Sequence, residues 1–190
     1  MASLINIRKH IPDGRDRYFV DSNVWFWFTY AASNEISTPN APLRYQTQSY
    51  PEYIEKVLDE GARLYHCPLT LSELSSIIER TELDIYRLKI SQPRMTKKEF
   101  RNIAECRARV VKQISLAWST ISQMSECLDI TLNEDLADGA IKVMGNTLLD
   151  PYDAFYIDSM STYDIKNIIT DDGDFISTDI SVFTANNRVN

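Results

Sequence analysis

The sequence has few of the residues that several common binding sites need. It holds two histidines and three cysteines in 190 residues, so a zinc site is not expected. With five glycines and no glycine-rich loop, it gives little support for nucleotide binding of the Rossmann or P-loop kind. No stretch approaches the roughly 20 apolar residues that span a bilayer, and the N-terminus lacks the pattern of a signal peptide. No membrane partner is therefore expected.

The cysteines indicate a reducing compartment. Cys67, Cys106 and Cys127 are odd in number and are not closely paired, which favours reduced thiols and a cytoplasmic location. Each lies in an apolar run and is most simply a small core residue. The apolar fraction of 44% and the charged fraction of 25% are ordinary for a globular protein, and the length allows a sizeable core. We expect one domain over residues 1–190.

Apolar runs typical of strands alternate with helical patterns along the chain. The predicted strands are 18–24 (running into a turn), 63–69, 128–132, 166–170 and 181–184. The predicted helices are 25–28, 52–62, 70–91, 96–128, 133–144 and one from Pro151, with a loop at 33–51 and a turn or short helix at 174–177. Strands separated by helices predict an α/β fold with a mostly parallel sheet.

Residues 74–128 are predicted to form a helical arm, a long helical hairpin added to the sheet domain. The second helix of the hairpin carries an apolar stripe at alternating spacings of three and four residues. Such a stripe is more often part of a core, or of the interface of a homodimer, than a cofactor site.

Charge is distributed unevenly along the chain, although the net charge is −7. Residues 80–112 contain ten basic and four acidic side chains, and residues 150–174 contain seven acidic side chains and one lysine. This arrangement would suit a phosphate backbone held beside a metal site. Lys97, Lys98 and Arg101 are the candidates for binding RNA. The alternative is a solvated helix face beside ordinary surface acids.

Four acidic residues lie where a predicted strand gives way to a helix or a turn. They are Asp21, Glu73, Asp153 and Asp172. Ligands of open α/β sheets bind outside the carboxyl ends of the strands, so in one parallel sheet these carboxylates should converge. Such a cluster repels itself unless a cation neutralises it, and oxygen ligands suit Mg²⁺ or Mn²⁺. A metal-dependent enzyme is the leading hypothesis.

Each of these acids also has a purely structural interpretation. The interpretations are a capping box at 70–73, a helix N-cap at Asp150 with Asp153 complementing the helix dipole, an Asx turn at 21–23 and a polar surface turn at 170–174. Capping and metal binding are compatible, because a helix that starts at the carboxyl end of a strand projects its first acids into the predicted pocket.

Four segments resemble the PIN-domain nucleases in order and context. They are Val20-Asp21-Ser22-Asn23, Ser72-Glu73-Leu74, Asp153-Ala154-Phe155-Tyr156-Ile157 and Thr170-Asp171-Asp172-Gly173-Asp174-Phe175. The resemblance covers about residues 17–30, 62–79 and 127–185, with the helical arm as an elaboration. It implies a three-layer α/β/α fold with a central, mostly parallel sheet. It also implies an acidic pocket that binds one or two Mg²⁺ or Mn²⁺ ions and hydrolyses phosphodiester bonds, usually in RNA.

The resemblance assigns roles by matched position. It makes Asp21, Glu73, Asp153 and Asp172 the metal-site acids, with Asp174 as an auxiliary and Asn23 and Thr170 as the neighbours that orient them. We expect Asp21 and Asp172 to coordinate metal directly, Glu73 and Asp153 to do so directly or through water, and Asp174 to lie in the outer shell. Small nucleases of this type are often toxins, which makes an antitoxin protein an expected partner beside the RNA substrate.

Other functions fit the sequence less well. Asp21 to Val24 resembles the catalytic loop of haloacid-dehalogenase-type phosphatases, but Asn23 stands where that loop has its second aspartate. An EF-hand starting at Asp172 lacks the closing glutamate. The non-enzymatic alternative is a PIN-like scaffold whose acids are structural and whose arm binds a protein partner.

Overall fold

The computed structural model describes residues 2–188, which form an α/β fold of strands and helices in near alternation. The strands are β1 (Ser3–Asn6), β2 (Arg17–Val20), β3 (Arg63–His66), β4 (Glu126–Cys127), β5 (Asn167–Ile169) and β6 (Ser181–Thr184). The helices are α1 (Ser22–Thr29), α2 (Arg44–Asp59), α3 (Pro68–Lys89), α4 (Lys97–Arg101), α5 (Ala104–Met124), α6 (Glu134–Asn146) and α7 (Pro151–Thr162), with short 3₁₀ turns at Ala31–Ser33 and Asp174–Ser177. None of the helices in this part of the chain is both long and apolar enough to cross a membrane.

All six strands belong to one parallel sheet, in the order β1-β6-β5-β2-β3-β4. The chain leaves β2 toward β3 and β4 on one side and later returns to β5 and β6 on the other. The direction in which the chain adds strands to the sheet therefore reverses between β2 and β5, where Val20 is in register with Ile169. The crevice at the carboxyl ends of two such strands is the usual ligand site of an open α/β sheet.

Helices cover both faces of the sheet, so the predicted three-layer α/β/α fold is confirmed. Tyr18 and Val20 of β2 belong to a core cluster shared with α1, α2, α3 and α5. Phe19, which lies between them, belongs to the opposite cluster with residues of α7 such as Tyr156 and Met160. This alternation follows from the two-residue period of a strand. Because both faces are covered, β2 is an apolar run with its last three residues fully buried.

The helical arm has an apolar cluster of its own. Leu83 of α3, Phe100 of α4 and Val110 of α5 are buried together. The sequence predicts one continuous helix over 96–128, and this prediction is wrong because the chain breaks at 102–103 between α4 and α5. The short α4 is capped by its own capping box, and the break allows its apolar side chain to reach the α3 helix.

Two buried glutamates of α3 bind basic side chains of α4 and α5 within the arm, and one of them also contacts Tyr30 outside it. The Glu79 carboxylate accepts a hydrogen bond from Arg101 Nε at 2.6 Å, and a second guanidinium nitrogen makes the pair bidentate. The Glu82 carboxylate pairs with Arg109 Nε at 2.8 Å and accepts the Tyr30 hydroxyl at 2.9 Å. Charges this deeply buried need such partners, so two half-exposed arginines of α4 and α5 are already engaged by glutamates of the fold.

Helix α2 starts well before the predicted position. The loop predicted for 33–51 is wrong in its second half, and Pro51 lies inside the helix. A proline there removes one helical hydrogen bond. Side chains of the first turns compensate by bonding to Asp171, which is distant in the sequence.

The edges of the sheet also differ from prediction. The strand predicted at 128–132 is wrong: β4 is the residue pair before it, aligned with Tyr65 and His66 of β3. Strand β1 was not predicted, since this edge strand is only half covered and lacks an alternating pattern. Of the three thiols, which are all free, Cys67 is buried and Cys127 is exposed, so the expectation that Cys127 is a core residue is wrong.

Candidate active site

Asp21 and Asp172 are linked through Thr170 at the crevice between β2 and β5. Asp21 follows β2 and caps α1, and its side chain is 2% exposed. The Thr170 hydroxyl, directly after β5, donates a hydrogen bond of 2.7 Å to Asp21 Oδ2. The same hydroxyl oxygen accepts the Asp172 backbone amide at 2.9 Å. One buried threonine thus contacts the Asp21 carboxylate and the backbone of Asp172, the two acids that it is predicted to orient.

Asp153 enters the same pocket from the first turn of α7. Asp150 caps that helix as predicted, and its Oδ1 accepts the Tyr152 and Asp153 amides at 2.8 and 3.0 Å. The Asp153 side chain is 8% exposed. Within residues 2–188, no hydrogen-bond donor reaches the Asp153 carboxylate. Asp150 therefore caps the helix, whereas Asp153, three residues later, has a carboxylate that is free of such bonds.

Glu73 reaches the pocket through a hydroxyl relay that the sequence analysis missed. The Tyr156 hydroxyl donates to Glu73 Oε2 at 2.7 Å and lies 2.8 Å from the Ser22 hydroxyl. The capping box expected at 70–73 is absent because α3 already begins at Pro68. Tyr156 follows Asp153 by three residues, which places both on one face of α7. This spacing is the pattern in the sequence that could have identified Tyr156 as a neighbour of the pocket.

Electrostatic coupling links the four acids. Burial, followed by the negative charge of Glu73, raises the pKa of Asp21 to about 7. Burial raises the pKa of Asp153 to about 9, with further contributions from the charges of Asp21, Asp150, Asp172 and Glu73, in that order. The pKa of Asp172 is also raised, mainly by burial. These carboxylates lie close enough to oppose one another's ionisation.

The side chains of this pocket are of the type that a hard divalent cation prefers. Throughout residues 2–188, no lysine or arginine forms an ion pair with any of the four acids. Buried carboxylates without a basic partner are otherwise costly, and oxygen ligands suit Mg²⁺ or Mn²⁺. As the side chains stand, no three His, Cys, Asp or Glu residues of the described range form a ready-made metal-binding group.

Asp174 and Asn23 lie at the rim of the pocket. The Asp174 side chain is exposed, and its backbone amide donates to Asp172 Oδ1 at 2.8 Å. Its position agrees with an auxiliary role, in which it shapes the turn that carries Asp172. The backbone amide of Asn23 donates a long hydrogen bond of 3.4 Å to Asp21 Oδ1. The side chain of Asn23 lines a neighbouring groove between α1 and α3.

Asp171 anchors the turn after β5 and was not singled out by sequence. Its carboxylate accepts hydrogen bonds from the Tyr45 hydroxyl and the Gln46 amide, both at 2.8 Å, and from the Tyr50 hydroxyl at 2.6 Å. These donors come from α2, whose beginning was predicted as loop. The network holds one member of the Asp171-Asp172 pair away from the pocket and leaves Asp172 to face it.

The basic candidates differ in their surroundings. Arg101 is paired with buried Glu79, and Lys97 Nζ lies 4.0 Å from the same carboxylate. The Arg101 pair lowers the pKa of Glu79. Lys98 is exposed on α4. A contact of these three residues with RNA stays a prediction, and two of them already have an internal partner.

A scan against models of protein families gave no match, and a search of the curated proteins gave none either.

Proposed function

We propose that this chain is a divalent-metal-dependent ribonuclease of the PIN-domain type. The observation that carries the proposal is the set of Asp21, Glu73, Asp153 and Asp172 at the carboxyl edge of a parallel sheet. Two of them are almost fully buried, and none has a basic partner in residues 2–188. Retaining several uncompensated carboxylates is costly for stability, so a ligand that neutralises them is the simplest reason for their presence.

Asp21 and Asp172 are the residues to which we assign direct metal ligation, with Asp153 and Glu73 completing the set. Mg²⁺ or Mn²⁺ bound there would supply an activated water near neutral pH and neutralise charge that develops on the phosphate. The remaining groups position these acids: Thr170 holds Asp21 and the turn of Asp172, and Tyr156 holds Glu73. No side-chain general base is assigned.

The experiment that tests this function is incubation of the purified chain with mixed cellular RNA. In Mn²⁺ or Mg²⁺ we expect shortened products, and EDTA should stop their formation because the carboxylates alone cannot activate water. Products would be followed by gel electrophoresis, with re-addition of Mn²⁺ as the check that EDTA acted through the metal. Equal cleavage in EDTA, or intact RNA in every metal condition, would contradict the proposal.

A further inference from the structure

Three basic side chains of the helical arm gather around one buried carboxylate. The side chain of Glu79, on α3, is 7% exposed and accepts the bidentate hydrogen bonds of Arg101. Lys97 Nζ lies 4.0 Å from one Glu79 carboxylate oxygen, and a guanidinium nitrogen of Arg107 lies 3.9 Å from the other. We call these four residues the Glu79 cluster. It joins all three helices of the arm, α3, α4 and α5.

The Glu79 cluster carries more positive charge than its own acid can neutralise. The hydrogen bond from Arg101 is the main reason that the pKa of Glu79 is lowered, so this carboxylate is ionised at neutral pH. Three cations and one anion leave a net charge of +2. The one acid of α4, Glu99, is engaged by Thr96 at the start of its own helix. Like charges that are held together repel, so this surplus favours an anionic ligand.

Two of the three cations have their hydrogen-bond donors available. The distances from Lys97 and Arg107 to the carboxylate of Glu79 are too long for hydrogen bonds. In the part of the chain that the structure describes, neither side chain has another hydrogen-bond partner. These side chains are 44% and 54% exposed, so a ligand in solution can reach them. An ammonium group offers three donors and a guanidinium group offers five.

The charge and the donors of the cluster match a phosphate group that carries two negative charges. A phosphomonoester has a charge of about −1.5 to −2 at pH 7 and three oxygens that accept hydrogen bonds strongly. A phosphodiester carries a single charge, which balances only half of the surplus. Arginine can bind two phosphate oxygens at once, and lysine adds a compact charge. The cluster therefore suits the monoester better than the diester.

The Glu79 cluster is separate from the acidic pocket. Glu79 follows Glu73 by six residues on α3, which is about 9 Å along the helix axis and on a different side of the helix. The negative charge of the pocket repels anions, whereas the surplus of the cluster attracts them. An anion is thus directed to the arm and away from the four acids.

We infer that the Glu79 cluster binds a phosphomonoester group, chiefly through Lys97 and Arg107. Arg101 remains paired with the buried acid and holds the centre of the site together. The site goes beyond the ribonuclease activity proposed above and does not depend on it, because none of its residues belongs to the acidic pocket.

The test is calorimetric titration of the chain with methyl phosphate at pH 8, in EDTA and at constant ionic strength. EDTA keeps divalent cations out of the acidic pocket, so phosphate cannot bind there through a metal. We expect saturable binding of methyl phosphate and much weaker binding of dimethyl phosphate, which has one charge. Lys97→Gln and Arg107→Gln should each weaken the binding of methyl phosphate roughly tenfold, the size expected for loss of one charge-assisted hydrogen bond.

The matched control is Lys98→Gln. It removes the same charge from the same short helix, but the exposed Lys98 does not contact Glu79. Its affinity for methyl phosphate should be native. Absence of saturable binding, native affinity in both Lys97→Gln and Arg107→Gln, or an equal loss in Lys98→Gln would overturn the site. Binding of dimethyl phosphate as tight as that of methyl phosphate would overturn the monoester assignment.

Short RNA strands identify the source of the phosphate group. A strand with a 5′-hydroxyl should lose no more affinity in Arg107→Gln than in Lys98→Gln, because it contains only diesters. A larger loss in Arg107→Gln would make the nucleic-acid backbone the ligand and overturn the monoester assignment. The same strand with a 5′-phosphate is then used as a competitor. Displacement of methyl phosphate by it would identify the ligand as the phosphorylated end of a nucleic acid, and lack of displacement would identify a small molecule.

Discussion

Replacement of Asp21 by asparagine is expected to abolish RNA cleavage and to leave the fold intact. Asparagine keeps the size of the side chain and one acceptor oxygen, and it is as good a helix N-cap as aspartate. It removes the negative charge at the centre of the pocket, where Asp21 adjoins both Glu73 and Asp172. Because changes to residues that only orient metal ligands cost about 10- to 100-fold, loss of a ligand should cost more than about 100-fold.

The matched control is Asp59→Asn. Asp59 is an exposed aspartate at the end of α2, just before β3. It therefore lies at the amino ends of the strands, whereas the pocket lies at their carboxyl ends. It should keep native activity. Circular dichroism and thermal unfolding would establish that both variants are folded. Cleavage by folded Asp21→Asn at the native rate, with Mn²⁺ present, would remove Asp21 from the site.

Replacement of Asp153 by asparagine is expected to stabilise the metal-free protein at neutral pH. The pKa of Asp153 is raised from 3.8 to about 9 in the fold. Between these values the folded state holds a proton that the unfolded state has released, so stability falls as pH rises. At pH 7 this amounts to about three pKa units, on the order of 4 kcal/mol, because each unit corresponds to about 1.4 kcal/mol. An uncharged side chain of the same shape avoids this loss.

Urea unfolding in EDTA, at several values between pH 5 and pH 8, measures the effect. The free energy of unfolding of the native chain should fall across this range, with Asp21 contributing up to its pKa of about 7. The fall should be smaller in Asp153→Asn, and this variant should be the more stable at pH 7. Asp59→Asn should follow the native curve. An Asp153→Asn variant that is less stable than the native chain at pH 7, or that shows the native pH dependence, would contradict this interpretation of the pocket.

The sequence was sufficient to locate the acids because their positions depend on local structure. Asp21 directly follows the buried strand β2, and Asp172 comes three residues after the end of β5. Asp153 follows an N-cap and a proline. All of these are short-range patterns. The parallel order of the strands then brings the residues together. By contrast, the role of Tyr156 depends on helix α3 lying opposite α7, which no local pattern indicates.

The wrong predictions for α2 and for the helix at 96–128 share one physical cause, which is long-range contact overriding local preference. The start of α2 has a polar composition and Pro51, both typical of a loop, yet its side chains are held by Asp171. The break between α4 and α5 occurs where Arg101 reaches Glu79 on another helix. Local propensity is a weak guide where such tertiary bonds are available.

The charge pattern of the arm has the same explanation. A positive excess over 80–112 suggested a surface for phosphate, but buried Glu79 lies one residue outside that range and pairs with Arg101. Glu82, within it, is buried against Arg109. Part of the excess is thus paired with buried glutamates, whereas Arg80 is exposed on α3.

Calorimetric titration of the metal-free chain with Mn²⁺ at pH 7, in two buffers of different ionisation enthalpy, tests the common cation site most directly. Because the pKa of Asp153 is about 9, this residue holds a proton that metal binding must displace. We predict saturable binding accompanied by proton release in the native chain and in Asp59→Asn, with both reduced or lost in Asp21→Asn. Absence of saturable binding, or identical binding by Asp21→Asn, would contradict a shared metal site.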